Sequence, residues 1–386
     1  MRLAWLGLLF FACDTGSAKP QIKPQRPRDA AAQVVVDDPA KQEGALLYKT
    51  LCAQCHGLDA KGYKADNAPS LINKTFLESA TDEFIHRSIE VGRPGTSMPG
   101  YARELGGPLD RASIDRIVAW LRAQGPQAQP LGTAASAGDA RPGSVIYTRE
   151  CKKCHGDQST RVNAVHLANP QFLAAASDAF IRYAIAAGRP GTPMESFVSK
   201  LSAQDIDNVV AYVRTLGTPV QAAQLPAPTG KEPLVINPKG KDPAWKTRSD
   251  PGSKDPRYVS VDEVNKALAD KRRMVIIDAR PPSDWMRVHI TGAVSIPYHD
   301  MSRLDEIAKD VWVIAYCACP HHLSGVVVDK LWEKGHKRAL ILDEGILEWH
   351  RRGYPVTAAP GVEPPPKETP PGAAPTAMPG HEGHGH

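Results

Sequence analysis

The chain has 386 residues, a formal net charge of +5, 35 prolines and 31 glycines. That length accommodates two to four compact units, and proline gathered in a few stretches points to small domains joined by stiff, solvated linkers. The positive charge is not gathered into a basic block, which excludes a nucleic-acid footprint and suits weak steering toward acidic partner proteins.

The chain opens with Met1-Arg2, an apolar run from Leu3 to Ala12, and Cys13. This is the pattern of an export signal, and the run is too short to span a bilayer permanently. Phe10-Phe11-Ala12-Cys13 resembles a bacterial lipobox. The resemblance implies that Cys13 is lipidated as the first mature residue and holds the protein at a membrane surface without crossing it. Soluble export, with cleavage after Gly16-Ser17-Ala18, is the other reading. Either way the product belongs in the periplasm or cell envelope, with residues 1–13 as the signal and 14–40 as a linker.

An internal duplication follows. Gly44-Ala-Leu-Leu-Tyr48 precedes Cys52-Ala-Gln-Cys55-His56, and Gly143-Ser-Val-Ile-Tyr147 precedes Cys151-Lys-Lys-Cys154-His155 at the same offset. Thr81 to Thr96 then matches Ser177 to Thr192, through the shared Phe-Ile and Gly-Arg-Pro-Gly-Thr segments, and each copy reaches a methionine, Met98 or Met194. Thr81 and Ser177 stand where N-caps belong, and Gly92 and Gly188 where helices stop. Each copy closes on an amphipathic helix, Ile114 to Arg122 or Ile206 to Arg214. Two homologous helical domains are expected over 41–126 and 141–218, joined by a linker over 127–140.

In Cys-x-x-Cys-His one helical turn presents two thiols and an imidazole to one edge of a porphyrin, the thiols forming thioethers and the histidine reaching the iron. A zinc site needs further ligands that neither copy offers consistently. Two haem c groups are therefore expected, one on Cys52 and Cys55 with His56, the other on Cys151 and Cys154 with His155. Met98 and Met194 are the natural sixth ligands, since a tight polar loop otherwise strands an apolar side chain. His/Met pairing also raises the haem potential for electron carriage. His86 and His166 are weaker candidates, because neither recurs in the other copy. With these residues the region resembles class I cytochrome c domains, which implies low-spin haems that pass electrons to redox partner proteins rather than bind substrates.

Residues 219–256 are rich in proline and lysine and read as an extended connector, whose Trp245 is able to dock on a domain. Beyond Tyr258 the periodicity changes. Val261 to Leu268 reads as a helix, Met274 to Asp278 and Val311 to Tyr316 as buried strands, Ser324 to Gly335 as a helix and Ala339 to Leu342 as a strand. The alternation predicts an α/β domain with a largely parallel sheet over 257–357. Asp278-Ala-Arg280, Asp284-Trp285, His289-Ile290-Thr-Gly292-Ala293 and Gly353-Tyr-Pro355 resemble a rhodanese domain. The resemblance makes Cys317 the sulfur-accepting cysteine, in a cradle of backbone N–H groups that stabilises a thiolate or persulfide. The loop Cys317-Ala-Cys319-Pro-His321-His322-Leu-Ser324 lacks the glycine and the cation typical of a thiosulfate sulfurtransferase, and Val288 replaces a usual glycine. His321 and His322 supply charge below neutral pH, and Cys319 is a candidate resolving thiol.

Residues 358–386, ending His381-Glu-Gly-His384-Gly-His386, are expected to be a disordered tail. The fold class is thus two all-α cytochrome c domains followed by an α/β rhodanese-like domain. Three functional readings remain open. The first couples haem electron transfer to sulfur redox chemistry on Cys317, with thiosulfate or polysulfide as partners. The second is a plain electron shuttle to an oxidase or reductase, with the third domain as a docking module. The third is a redox sensor working through Cys317 and Cys319.

Overall fold

The duplicated region folds twice in one way because its helix punctuation is repeated. The structure, a computed structural model, describes residues 39–63, 67–217, 224–246, 257–318, 323–365 and 367–368. The first copy contains α1 (Pro39–Leu51), α2 (Ala53–His56), α3 (Lys74–Ser79), α4 (Asp82–Val91) and α5 (Arg111–Arg122). The second contains α6 (Ala140–Glu150), α7 (Lys152–His155), the short strand β1 (Thr160–Arg161), α8 (Pro170–Ala175), α9 (Asp178–Ala187) and α10 (Ala203–Arg214). Thr81 and Ser177 accept the backbone N–H of Phe84 and Phe180, as N-caps do. Gly92 and Gly188 end those helices at φ +65°, a conformation that suits glycine.

In each copy the first and last helices cross closely. A Cβ on Gly44 or Gly143 would collide with the carbonyl of Arg116 or Asn208, which is why glycine recurs ahead of each cysteine motif. The closing arginine of each copy locks the crossing. Arg122 donates to Asp82, to the Leu77 carbonyl and to the Ala80 carbonyl. Arg214 makes the same three bonds to Asp178, Leu173 and Ala176.

The third region runs β2 (Tyr258–Val259), α11 (Val261–Ala269), β3 (Met274–Asp278), α12 (Pro282–Trp285), β4 (Val288–Ile290), β5 (Val294–Ser295), β6 (Trp312–Tyr316), α13 (Leu323–Glu333), β7 (Ala339–Leu342), α14 (Gly345–Arg351), β8 (Val356–Ala358) and β9 (Lys367–Glu368). Five strands form a parallel sheet in the order β2-β7-β6-β3-β5. Its strands read as unbroken apolar runs because both faces are covered. Val275 and Ile277 join the core shared with the helical copies, while Met274 and Ile276 join a second core with Trp312 and Trp349.

Two segments are more ordered than their composition suggests. In the connector, Ile236 forms an antiparallel bridge with Met274, and Trp245 packs edge-on against Trp312 at 5.6 Å. Leu234-Val235-Ile236 is too short to show a period, yet it is apolar enough to cover the sheet. The expected tail begins inside a strand: β8, which runs antiparallel to β4, ends at Ala358, and farther on β9 lies parallel to β1 of the second copy. Cys13, Cys319, His321, His322 and the tail histidines lie outside the described residues. Among the described residues no helix is long and apolar enough to cross a membrane.

Candidate functional site

Cys52 continues the turn of α1, its N–H bonded to the Tyr48 carbonyl at 2.8 Å, and the N–H of His56 returns to the Cys52 carbonyl at 3.0 Å. The second copy repeats this, Cys151 to Tyr147 at 2.9 Å and His155 to Cys151 at 3.0 Å. The Tyr48 and Tyr147 hydroxyls pin the exits of these turns by donating to Gly57 and Gly156. So one turn carries both thiols and the imidazole in each copy.

The imidazoles are oriented for a ligand. His56 Nδ1 lies 2.9 Å from the Pro69 carbonyl and His155 Nδ1 lies 2.8 Å from that of Val165. A carbonyl only accepts, so Nδ1 carries the proton and Nε2 keeps its lone pair, the tautomer a metal ligand needs. Burial lowers both histidine pKa values and keeps the rings neutral. Burial also pushes the Cys52 and Cys151 thiols up to about 12, so neither supplies a ready thiolate. Among the described residues no cluster of three or more His, Cys, Asp or Glu could hold a bare metal ion. These features fit haem c, which Cys52, Cys55 and His56 in the first copy and Cys151, Cys154 and His155 in the second would hold.

Each methionine sits at the end of a closed loop. The Arg93 N–H donates to the Met98 carbonyl at 2.8 Å, and the Met98 N–H donates to Thr96 Oγ1. Arg189, Met194 and Thr192 repeat both bonds. Both methionines are half-buried and pack on the core. His166 is engaged elsewhere, its Nε2 donating to the Asp157 carbonyl, and buried His86 faces Asp115 at 3.3 Å. Arg93 and Arg189 were not singled out in the sequence. Burial lowers each guanidinium to about 10, which marks cations held in low-dielectric surroundings.

Cys317 follows β6 and is 1% exposed. Its Sγ lies 3.3 Å from Ser324 Oγ at the start of α13, and its carbonyl accepts the Ile346 N–H at 3.0 Å. Gly345, at φ +69°, allows α14 to approach this closely, since a Cβ there would meet the carbonyls of Cys317 and Ala318. One cavity is lined by Cys55, Ser97 and Pro99 from the first helical copy and by Arg280, Asp284 and Cys317 from the α/β region. The two sides are fastened where Ser283 Oγ donates to the Gly100 carbonyl at 2.5 Å and Tyr298 donates to the Leu51 carbonyl at 2.9 Å.

Arg280 places a cation at this cavity although the loop after Cys317 carries none. Burial alone would lower its pKa, but Asp278 and Asp284 outweigh that and raise it. Its Nε and Nη2 donate to the two Asp278 oxygens at 2.9 and 2.7 Å, and the Tyr316 hydroxyl joins the same carboxylate. Burial raises the Asp284 pKa against the pull of Arg280. The Asp278-Ala-Arg280 motif was legible in the sequence, but its place beside the thiol was not.

Residues 39–121 and 138–213 match the family model for cytochrome C oxidase, cbb3-type, subunit III, and residues 260–352 match the rhodanese-like domain. The cbb3-type cytochrome c oxidase subunit CcoP of Azospirillum sp. is 27% identical over 192 residues, covering 45% of this chain and 61% of that protein. The chain thus spans about three fifths of the length of the curated cytochrome relatives it matches first. A sulfurtransferase of Allochromatium vinosum is 31% identical over 104 residues, covering 27% of this chain and 96% of that protein. One chain of the Kuenenia stuttgartiensis reducing HAO-like protein complex aligns at 22% identity over 46% of this chain and 96% of that one, with a TM-score of 0.33. Cytochrome c domains imply covalently bound haem c and an electron-transfer function. The chain therefore carries two segments that match the cbb3-type cytochrome c model, and its C-terminal domain belongs to the rhodanese-like family.

Proposed function

We propose that this chain is a dihaem electron carrier of the cell envelope that also handles sulfane sulfur on Cys317. Haem c supplies one-electron carriage when bound; Cys52, Cys55 and His56 would hold one group and Cys151, Cys154 and His155 the other, with Met98 and Met194 as sixth ligands. The observation that carries the sulfur reading is the Cys317 thiol at the end of β6, 3.3 Å from the Ser324 hydroxyl and lining one small cavity with Arg280. In this reading the Cys317 thiolate attacks the outer sulfur of thiosulfate or the terminal sulfur of a polysulfide. A new S–S bond forms on Cys317, the donor S–S bond breaks, and sulfite or the shortened polysulfide leaves with the electron pair. Arg280 faces the anions, and the Ser324 hydroxyl is in reach of the sulfur.

Export by the N-terminal segment, with Cys13 as lipid anchor, completes this reading, and the partners are redox proteins. The second reading, a docking module without sulfur chemistry, is favoured by the Ser283 and Tyr298 bonds to the first helical copy.

The test is titration of the full-length holoprotein with polysulfide and with thiosulfate, in wild type and Cys317→Ser. It follows the mass of the Cys317 peptide, because this exchange is redox-neutral and releases no electron. The expected result is one added sulfur atom on that peptide in the wild type and none in Cys317→Ser. No adduct, or an adduct indifferent to the substitution, overturns the sulfur reading and leaves the docking module.

A further inference from the structure

The two helical copies meet through a reciprocal pair of bonds. Asn73 caps α3, its Oδ1 accepting the Phe76 N–H, while its Nδ2 donates to the Pro190 carbonyl of the other copy at 2.8 Å. Asn169 caps α8, its Oδ1 accepting from Gln171 and Phe172, while its Nδ2 donates to the Pro94 carbonyl at 2.9 Å. Both amide orientations are forced, since a backbone N–H only donates and a carbonyl only accepts. Between the two bonds the rings of Phe84 and Phe180 stack at 4.5 Å. Arg93 and Arg189 lie over the two rings, 5.9 and 5.5 Å from their centroids.

Pro94 and Pro190 belong to the loops that end at Met98 and Met194. The arc of each loop is closed by the bond from Arg93 to Met98, or from Arg189 to Met194. A carbonyl held from outside fixes where that arc sits, and so where the thioether sits. We propose that Asn73 and Asn169 are positioning residues acting across the pseudo-twofold: Asn169 holds the Met98 loop of the first copy, and Asn73 holds the Met194 loop of the second. The proposal rests on the reading of both methionines as iron ligands. The brace on the second loop is doubled, because the Thr75 hydroxyl also donates to the Gly188 carbonyl at 2.7 Å.

Asn→Asp substitutions separate the two jobs of each side chain. Aspartate caps a helix as well as asparagine does, but it has no Nδ2 to donate and sets an oxygen against the proline carbonyl. The test uses full-length holoprotein carrying Met98→Leu or Met194→Leu, so that the methionine-to-iron charge-transfer band of the ferric protein comes from one haem. With Met194→Leu, Asn169→Asp is expected to weaken the remaining Met98 band and to raise imidazole affinity at that haem about fivefold, as the loss of one hydrogen bond implies. With Met98→Leu, Asn73→Asp acts on the Met194 band in the same direction and more weakly, because Thr75 remains. Asn169→Asp in the Met98→Leu chain leaves the Met194 band of its own copy unchanged.

An effect confined to the substituted residue's own copy, or no effect, overturns the brace. If the single leucine variants do not each remove part of the band, the ligand reading itself fails and the brace falls with it. If each does and the crossed effect is missing, the brace alone is wrong.

Discussion

The Tyr298 hydroxyl, carried by the rhodanese-like domain, donates to the carbonyl of Leu51, the residue immediately before Cys52. Tyr101, shortly after the Met98 loop, donates to the same carbonyl at 2.8 Å, and the two hydroxyl oxygens lie 3.5 Å apart. Burial raises both phenol pKa values and keeps them neutral donors. A carbonyl has two lone pairs and accepts both bonds. Tyr101→Phe and Tyr298→Phe should each lower unfolding stability by about 1 kcal/mol, because the other hydroxyl still satisfies Leu51. The double variant should lose more than the sum, since it leaves a buried carbonyl without a partner. Denaturant unfolding of all four proteins measures the difference, and strict additivity would mean that the tyrosines act independently.

What was legible in the sequence was what repeats or alternates. The spacing of Cys52, Cys55 and His56, the caps at Thr81 and Ser177, and the apolar strand from Met274 follow from local periodicity and need no partner to be known. The bond from Tyr298 to Leu51 was not legible, because its acceptor is a backbone carbonyl and any residue carries one. The cavity between Cys55 and Cys317 was hidden for a related reason: it exists only after two domains dock, and no local pattern records docking. Asn73 and Asn169 are an intermediate case. Asn73-Lys-Thr-Phe-Leu77 and Asn169-Pro-Gln-Phe-Leu173 recur in register, so the duplication marked them, while composition suggested nothing beyond a helix cap.

His336, between α13 and β7, gives the rhodanese-like domain an acid-labile point. It is 1% exposed, and neither ring nitrogen has a hydrogen-bond partner. Burial lowers its pKa below the ordinary 6.5; Lys309 and Lys334 push the same way and Asp305 opposes them. A depressed folded-state pKa means that the unfolded chain binds the proton more readily. The stability contributed by neutral His336 is therefore complete above 6.5 and is lost as pH falls through the lower folded-state value. His336→Phe should flatten this part of the pH dependence. Urea midpoints of the holoprotein at about pH 5 and about pH 8 test it: the gap between them should narrow in the variant, and an unchanged gap would place the acid sensitivity elsewhere.

The last prediction concerns the direction of the bond between Cys317 and Ser324. With the sulfur 3.3 Å from the hydroxyl, either group could carry the shared proton. A Cys317 thiol donating to Ser324 would be held protonated and made a poorer nucleophile. A Ser324 hydroxyl donating to sulfur would stabilise the thiolate and the persulfide, and a hydrogen bond to a charged group contributes roughly twice what a neutral one does. Ser324 is itself fully buried, so water does not replace the hydroxyl when it is removed. If Ser324 is the donor, Ser324→Ala should slow alkylation of Cys317 by iodoacetamide about tenfold at neutral pH, and Ser324→Thr should recover most of the rate. The mass of the Cys317 peptide followed over time gives both rates. An unchanged or faster rate in the alanine variant would show that the thiol is the donor, and that stabilisation of the sulfur anion must come from elsewhere in the site.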